Sequence, residues 1–186
     1  MISLIITAAG KGARTGLDYN KMLYKIDGET VLEKVFNVFK DTGLFEEYIV
    51  TANESDLVEF RNILPPYVKI VIGGSSRTQS VHNAVKQVTG KYVLIHDGAR
   101  PFVSKDVIKR VVDSVIEKGT GITAIPTVNT LCKCTNEEIE SVLGKDGYYQ
   151  VQTPQGFITE EIAWAFDKIT TEVYPDESSL YLKYIA

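Results

Sequence analysis

The start of the chain constrains the fold more than any other segment. An apolar run, Ile2 to Ile6, breaks directly into the glycine-rich and cationic segment 7–16. An apolar run of this length that ends in glycines indicates a buried strand. In an open α/β sheet, such a strand delivers the loop that follows it to the ligand-binding edge. The sequence therefore predicts a sheet whose first strand ends at a ligand.

The loop after this strand has the composition of an anion site. Gly10 and Gly12 allow backbone N–H groups to approach a polyanion closely, because no Cβ stands in the way. Lys11, Arg14 and, further on, Lys21 add positive charge. The loop lacks both the Gly-Lys-Ser/Thr ending of a P-loop and the third glycine of a dinucleotide fingerprint. These residues favour a phosphate-bearing ligand, and a plain strand-to-helix turn with solvated charges is the alternative.

Composition places the chain among globular proteins and argues against several functions. Of its 186 residues, 44% are hydrophobic and 24% are charged, which is ordinary for one folded domain. The net charge of −4 argues against general nucleic-acid binding, which requires a basic face. No apolar run approaches the ~20 residues of a membrane span, and no signal-peptide pattern is present, so a cytoplasmic protein without membrane partners is expected. Cys132 and Cys134 have poor spacing for a mutual disulfide and are expected to be reduced packing residues.

Apolar runs alternate with helical periodicity along most of the chain. Strands are predicted at 48–51, 68–72, 92–95 and 122–125. Helices are predicted from Thr30 to a stop at Gly43 and at 55–62, 81–88, 106–118 and 159–166, with a further helical start at Asp176. The strands are continuously apolar, which favours a mostly parallel sheet with helices on both faces. Residues 127–152 break this pattern and predict a β-hairpin within a single domain that spans 1–186.

Two further segments are expected at the same edge as the first loop. The third strand runs into a second glycine-rich turn, Gly73 to Ser80, which opens a helix. The fourth strand ends in His96-Asp97-Gly98-Ala99-Arg100-Pro101. Asp97 is placed to receive a ribose hydroxyl or to help position Mg²⁺ and its waters, whereas His96 is expected to be structural. The alternatives are a turn capped by Ser75 or Ser76 and a turn aspartate at 97.

Taken together, these motifs resemble those of the 2-C-methyl-D-erythritol 4-phosphate cytidylyltransferases of the non-mevalonate isoprenoid pathway. The resemblance runs from Ile5 to about Leu180 and rests on five motifs in order: Ala8-Ala9-Gly10-x-Gly12-x-Arg14 with Lys21, Gly73-Gly74-x-x-Arg77-x-x-Ser80, His96 to Pro101, Thr153-Pro154-Gln155, and Asp176-Glu177. It implies a Rossmann-like nucleotidyltransferase fold that converts CTP and methylerythritol phosphate to the CDP-alcohol and pyrophosphate. It also implies that Mg²⁺ is held mainly by the phosphates of CTP, with no dedicated metal residues.

The resemblance also implies roles for individual residues. Arg14 and Lys21 match the two cations that stabilise the pentavalent phosphorus. The family forms a homodimer through its hairpin arm, so Lys145 is expected to hold the substrate phosphate of the neighbouring subunit. The other matched positions bind the nucleotide (Ala8, Ala9, Gly10, Lys11, Gly12, Gly73, Gly74, Ser75, Arg77, Ser80, Asp97 and Gly98) or the polyol phosphate (Asp97, Arg100, Lys145 and Thr153).

Four departures from the family pattern lie close to these positions. Asn20 stands where the family more often has Pro, which is expected to change only backbone stiffness. Lys145 replaces an Arg and so loses its bidentate fork, and Pro175 replaces a Thr. The family also continues for a further strand and helix, with another phosphate-positioning Lys that this sequence lacks. The alternatives are therefore a ribitol 5-phosphate cytidylyltransferase, which shares these motifs, and a truncated non-catalytic nucleotide-binding protein.

Overall fold

Helices and strands alternate along most of the chain in the computed structural model, which describes residues 1–10, 19–169 and 174–186. The strands are β1 (Ile2–Thr7), β2 (Lys25–Ile26), β3 (Glu29–Thr30), β4 (Glu47–Ala52), β5 (Lys69–Ile72), β6 (Tyr92–Asp97), β7 (Thr120–Pro126), β8 (Leu131–Thr135), β9 (Glu138–Leu143) and β10 (Tyr149–Ile158). The helices are α1 (Val31–Lys40), α2 (Leu57–Ile63), α3 (Arg77–Val85), α4 (Lys105–Lys118), α5 (Thr159–Asp167) and α6 (Glu177–Tyr184). Within these ranges, no helix has the length and apolar character needed to cross a membrane.

A six-stranded sheet in the order β5-β4-β1-β6-β10-β7 forms the centre. The first four strands run parallel, whereas β10 is antiparallel to both β6 and β7. The predicted fold class, a mostly parallel sheet with helices, is confirmed. The sequence pattern missed β10 as a strand of this sheet, because it has no continuous apolar run and contains Pro154 and Gly156. The pairing tolerates the interruption through a register shift against β7 between Val151 and Gln155.

The helices cover both faces of the sheet with separate apolar clusters. On β1, Leu4 and Ile6 belong to one cluster and Ile5 to the other, because successive side chains of a strand point to opposite faces. The first cluster includes residues of α1, α2 and α4, and the second includes residues of α3, α5 and α6. All three β1 side chains are fully buried. The continuous apolar run at the start of the sequence is explained by this two-sided burial.

Local sequence signals set the ends of the longer helices. The hydroxyl of Thr30 accepts from the backbone N–H of Glu33, whose carboxylate accepts in return from the N–H of Thr30, which completes a capping box at α1. Ser104 caps α4, and Gly119 ends it with a left-handed φ of 82°. The predicted ends of α4 agree with the structure to within about one residue, whereas α1 ends at Lys40, before the predicted stop at Gly43.

The strands β8 and β9 form an antiparallel hairpin outside the central sheet, which we call the hairpin arm. Ile139 and Val142 are 64% and 65% exposed. The predicted hairpin is confirmed in kind, but its bounds of 127–152 were too wide. Residues 149–152 belong to β10, because Tyr149, Gln150 and Val151 pair with β7.

The two cysteines lie on β8 of the hairpin arm. Both are exposed, and their sulfur atoms lie 3.4 Å apart. Side chains two apart on a strand share a face. The prediction that Cys132 and Cys134 are packing residues was wrong, since the hairpin arm leaves them open to solvent.

Candidate nucleotide site

The carboxyl ends of the parallel strands open onto a cleft of about 1430 Å³. Its lining comes from the segments that follow β1, β4, β5 and β6, together with residues 19–23. Parallel strands share one carboxyl edge, so loops far apart in the chain converge there. The convergence expected from the sequence is therefore present among the described residues.

The cleft brings together most of the described residues that the sequence singled out. The predicted site residues that line it are Ala8, Ala9, Gly10, Lys21, Gly73, Gly74, Ser75, Arg77, Ser80, Asp97 and Arg100. Gly98, Lys145 and Thr153 are not among the lining residues of this cleft. Lys11, Gly12 and Arg14 lie outside the described residues.

The first two glycine-rich segments touch each other at the base of the cleft. A Cβ placed on Gly73 would lie 2.5 Å from the Cβ of Ala9 and 2.8 Å from Oγ of Ser80, so only glycine fits without displacing a neighbour. The backbone N–H groups of Ala8 and Ala9 donate to Oγ1 of Thr51, at 3.0 and 3.3 Å. The glycine at position 73 is therefore required by its close approach to Ala9 and Ser80.

The second loop begins α3 with an internal set of hydrogen bonds. Ser76 caps the helix by accepting from the N–H of Gln79 at 3.1 Å, as one alternative in the sequence analysis held. The N–H groups of Gly74 and Ser75 donate to the side chains of Ser80 and Gln79, at 2.9 and 2.8 Å. The positive end of α3 thus faces the cleft, where it favours an anionic ligand.

Arg77, Asp97 and Glu177 form a charge network beneath this loop. The guanidinium of Arg77 donates to both carboxylate oxygens of Glu177, at 2.7 and 3.0 Å, and to Oδ1 of Asp97 at 3.1 Å. Glu177 is 2% exposed, and burial raises its pKa. Burial opposes the charge of Arg77, but Glu177 and Asp97 raise its pKa above the ordinary value. The network ties α6 to β6, which is a role the sequence motif Asp176-Glu177 did not reveal.

Asp97 is also held from its other side. Its Oδ2 accepts from Nε of Arg100 at 3.1 Å. Burial alone would raise the pKa of Asp97, but the charges and hydrogen bonds of Arg77 and Arg100 lower it below the ordinary value. The carboxylate is therefore charged at neutral pH and already engaged by two cations.

His96 and Thr153 support the end of β6 from below. His96 is fully buried, with Nε2 3.0 Å from the carbonyl of Arg100 and Nδ1 3.1 Å from Oγ1 of Thr153. Burial lowers its pKa to about 4, so it is neutral at pH 7. His96 is structural, as the sequence predicted. Thr153 accepts the N–H of Asp97 at 3.1 Å, which places its hydroxyl behind Asp97.

Comparison with known proteins identifies the family. A model of the 2-C-methyl-D-erythritol 4-phosphate cytidylyltransferase family matches residues 2–184. The chain belongs to this family. It is 35% identical over 163 residues to the 2-C-methyl-D-erythritol 4-phosphate cytidylyltransferase of Bacillus cytotoxicus, covering 84% of this chain and 72% of the relative. It is 33% identical over 192 aligned residues to the protein of that name from Thermosipho africanus, covering 98% of this chain and 84% of the relative.

The fold of this cytidylyltransferase also occurs in a solved structure. The 4-diphosphocytidyl-2C-methyl-D-erythritol synthase of Anaerococcus prevotii matches with a TM-score of 0.86 at 24% identity, covering 99% of this chain and 84% of that chain. At that identity, the likeness concerns the fold. Together with the family match, it makes the chain a nucleotidyltransferase of known architecture.

Lys21 of this cytidylyltransferase lies in a short turn beside the cleft. It begins a 3-10 turn, Lys21–Leu23, and lines the cleft. Of residues 21–26, only Lys25 and Ile26 form a strand. Asn20 caps the turn with its side chain and is 5% exposed. Its contacts are a feature that sequence reasoning missed.

Lys145 occupies a different place from Lys21. It lines a smaller cleft of about 250 Å³ at the base of the hairpin arm, together with Pro126, Thr127, Val128 and residues 146–149. The described residues contain no group of three or more His, Cys, Asp or Glu side chains placed to hold a metal ion.

Proposed function

We propose that this protein transfers the cytidylyl group of CTP to 2-C-methyl-D-erythritol 4-phosphate, giving the CDP-alcohol and pyrophosphate for isoprenoid precursor synthesis. The observation that carries this proposal is the convergence of the loops after β1, β5 and β6, with Lys21, on one cleft. The family match supports it, since the relatives carry the name of that activity. Residues 1–186 would act as one nucleotidyltransferase domain.

The proposed reaction requires positioning and charge stabilisation, with no covalent enzyme intermediate. A phosphate oxygen of the acceptor attacks the α-phosphorus of CTP, and the bond to the β-phosphate breaks as pyrophosphate leaves. Lys21 and Arg14 would stabilise the negative charge that builds on the pentavalent phosphorus. The N-terminus of α3 and the loop before it would bind the nucleotide.

Mg²⁺ is proposed as the ion that accompanies the triphosphate. It prefers phosphate oxygens supplemented by one or two carboxylates over an all-protein cage. Asp97 fits as a contributing carboxylate, because it lines the cleft at the end of β6 and its Oδ2 contacts only a half-exposed cation, Arg100, among its described partners. When bound, the ion would neutralise charge on the leaving pyrophosphate.

A substrate screen tests the assignment directly. Pyrophosphate release is measured with each of the four NTPs, with methylerythritol phosphate or ribitol 5-phosphate, and with or without a chelator. We expect turnover with CTP and methylerythritol phosphate only, and its loss when Mg²⁺ is chelated. Equal rates with all four NTPs would contradict a cytidylyl donor, and a preference for ribitol 5-phosphate would replace the acceptor.

We further propose that the hairpin arm makes a homodimer and brings Lys145 to the partner's substrate phosphate. The arm exposes Leu131, Ile139 and Val142, and an isolated two-stranded hairpin is marginal in water. Its edges also offer unpaired backbone groups to another chain. The cleft beside Lys145 is separate from the cleft that contains Lys21. A second copy of the chain would cover the apolar surface and supply the cation in trans.

Mixing two inactive variants tests the trans arrangement. Lys21→Ala and Lys145→Ala proteins are combined, and subunit exchange is verified with a tagged copy. If Lys145 acts in trans, each mixed dimer has one site without a lesion. Activity should then rise to about one quarter of wild type after random exchange. No rise despite exchange would place Lys145 in the site of its own chain or outside both sites.

A further inference from the structure

Asn20 precedes Lys21 and is almost completely buried, although the cleft adjoins it. Its side chain caps the 3-10 turn that begins at Lys21. It is 5% exposed, and the next buried residue of the turn, Met22, is 2% exposed. Lys21 is therefore presented to the cleft from a turn that is anchored on both sides.

The carboxamide of Asn20 joins three parts of the chain. Nδ2 donates to the carbonyl of Ala8 at 3.0 Å and to Oδ2 of Asp56 at 2.6 Å. Oδ1 accepts from the N–H of Met22 at 3.0 Å. The partners fix the orientation of the amide, since two acceptors face the nitrogen and a donor faces the oxygen. One side chain thus links the nucleotide loop, the segment before α2 and the Lys21 turn.

Asp56 is itself held in place, so the oxygen that accepts from Asn20 has a fixed position. Its Oδ2 also accepts from Nδ2 of Asn53 at 3.3 Å, and its Oδ1 accepts from Oγ of Ser55 at 3.3 Å. Because Asp56 comes directly before α2, the Lys21 turn is tied to an element that packs on the central sheet. The Asn20 amide therefore adds a second anchor to the one that buried Met22 provides.

The backbone conformation of Asn20 allows a role of the backbone to be distinguished from a role of the carboxamide. Its φ of −65° and ψ of 124° are values that a proline at this position would adopt. A proline, which the family pattern more often has at this position, would therefore preserve the backbone conformation. The hydrogen bonds of the carboxamide would be lost. The expectation that Asn20 changes only backbone stiffness was wrong, because its side chain makes three bonds.

We propose that Asn20 is a positioning residue that acts through Lys21. Its carboxamide sets the Lys21 turn against the nucleotide loop, so that the ammonium meets the phosphorus when negative charge builds there. This inference rests on the proposed role of Lys21. A displacement of about 1 Å at a reacting group can cost about 10²-fold in rate, so a lost anchor should affect turnover more than binding.

Three single variants separate the carboxamide from the backbone. We expect Asn20→Ala to lower kcat by about 10- to 100-fold, with the KM for CTP changed by less than about threefold. Asn20→Pro keeps φ and should show a similar loss. Asn37→Ala is the matched control, because Asn37 makes a side-chain bond to Glu29 at 3.0 Å on an exposed surface, and it should keep wild-type kcat. Full activity of Asn20→Pro would overturn the inference.

A double-mutant cycle separates positioning from general stability. If Asn20 acts through Lys21, Asn20→Ala should have almost no further effect on kcat in a Lys21→Ala background. An equal factor in both backgrounds would overturn the inference and leave the role of Lys21 intact. Full kcat of Lys21→Ala alone would overturn the role of Lys21, and this inference with it.

An exchange of donor and acceptor covers the case in which the alanine variant folds poorly. Asn20→Asp places two carboxylates against each other and should lower kcat. Adding Asp56→Asn restores the hydrogen bond between the two positions but not the one to the carbonyl of Ala8, so it should recover part of the lost kcat, about threefold or more. Urea unfolding of each variant shows that the rates refer to folded protein. No recovery in a folded double variant would contradict the proposed link.

Discussion

In the charge network at the cleft, a charged side chain is buried, whereas in the hairpin arm, apolar side chains are exposed. In the network, Glu177 is 2% exposed and its partner Arg77 reaches it from 100 positions away in the sequence. In the arm, the ion pair of Lys133 and Glu140 at 2.5 Å lies on the surface, while Ile139 and Val142 face solvent. The network is therefore complete within one chain, whereas the arm leaves apolar surface uncovered.

This difference indicates where each region obtains its stability. A buried ion pair is strongly coupled to the fold, because removal of one partner leaves an uncompensated charge. A surface pair such as Lys133 and Glu140 contributes little. The cleft should therefore respond to single substitutions in one chain, and the arm should respond to whether a second chain is present.

The largest effect is expected at Lys21, in the cleft. Lys21→Ala should lower kcat on the order of 10²–10³-fold, because its charge matters most when negative charge builds at the α-phosphate. Lys105→Ala is the control, since its pair with Asp41 at 3.3 Å lies on an exposed surface. Steady-state kinetics with CTP decide the result. A variant with unchanged kcat and weaker CTP binding would make Lys21 a ground-state anchor.

The second prediction concerns the stability of the network. Arg77→Ala should lower the free energy of unfolding by roughly 3 kcal/mol, because it leaves Glu177 buried without its partner. Lys109→Ala removes an exposed i,i+4 pair with Asp113 and should cost about 0.5 kcal/mol or less. Urea unfolding followed by circular dichroism measures both. Equal losses for the two variants would show that the network adds nothing to the fold.

The third prediction compares the effect of acid on stability at a buried carboxylate and at an exposed one. Burial alone would raise the pKa of Glu47, but hydrogen bonds from Lys69, Ser3 and Thr89 lower it to about 2 from a model-peptide value of 4.5. The folded-state pKa is depressed, so this stability is present above about pH 4.5 and is lost as the pH falls towards 2. The shift corresponds to about 3 kcal/mol.

The matched variants are Glu47→Gln and, on the arm, Glu140→Gln. We expect the difference in unfolding free energy between wild type and Glu47→Gln to shrink as the pH falls from 5 towards 2. Glu140→Gln should follow the wild-type curve, since its pair with Lys133 is exposed. A constant difference across this range would mean that the hydrogen bonds of Glu47 do not favour its charged form.

The smallest effect on one chain is expected in the arm. Ile139→Ser with Val142→Ser should change the unfolding free energy of the dilute monomer by about 0.5 kcal/mol or less, because both side chains are exposed. The variant should nevertheless fail to dimerise in sedimentation experiments. Val81→Ser, at a fully buried position of α3, should cost roughly 2 kcal/mol instead. A wild-type protein that stays monomeric at all concentrations would contradict the proposed role of the arm.

The sequence by itself determined the parallel strands of the central sheet and much of the cleft. The continuous apolar run at 2–6 and the capped helices after Thr30 and Ser104 depend on short-range periodicity and on local hydrogen bonds. The glycine-rich loops had to meet because the carboxyl ends of parallel strands share one edge. Local patterns were therefore enough to place Lys21, Asp97 and the second loop around one cleft.

Only the tertiary structure decided the contacts between distant segments. β10 is a strand because β6 and β7 pair with it, although Pro154 and Gly156 weaken its local pattern. Arg77 meets Glu177, and Asn20 meets Asp56, across 100 and 36 positions of sequence. The cysteines are exposed because the hairpin arm is separate from the central sheet. Such pairings depend on how the topology brings segments together, and periodicity along the chain carries no record of which distant partner a side chain will meet.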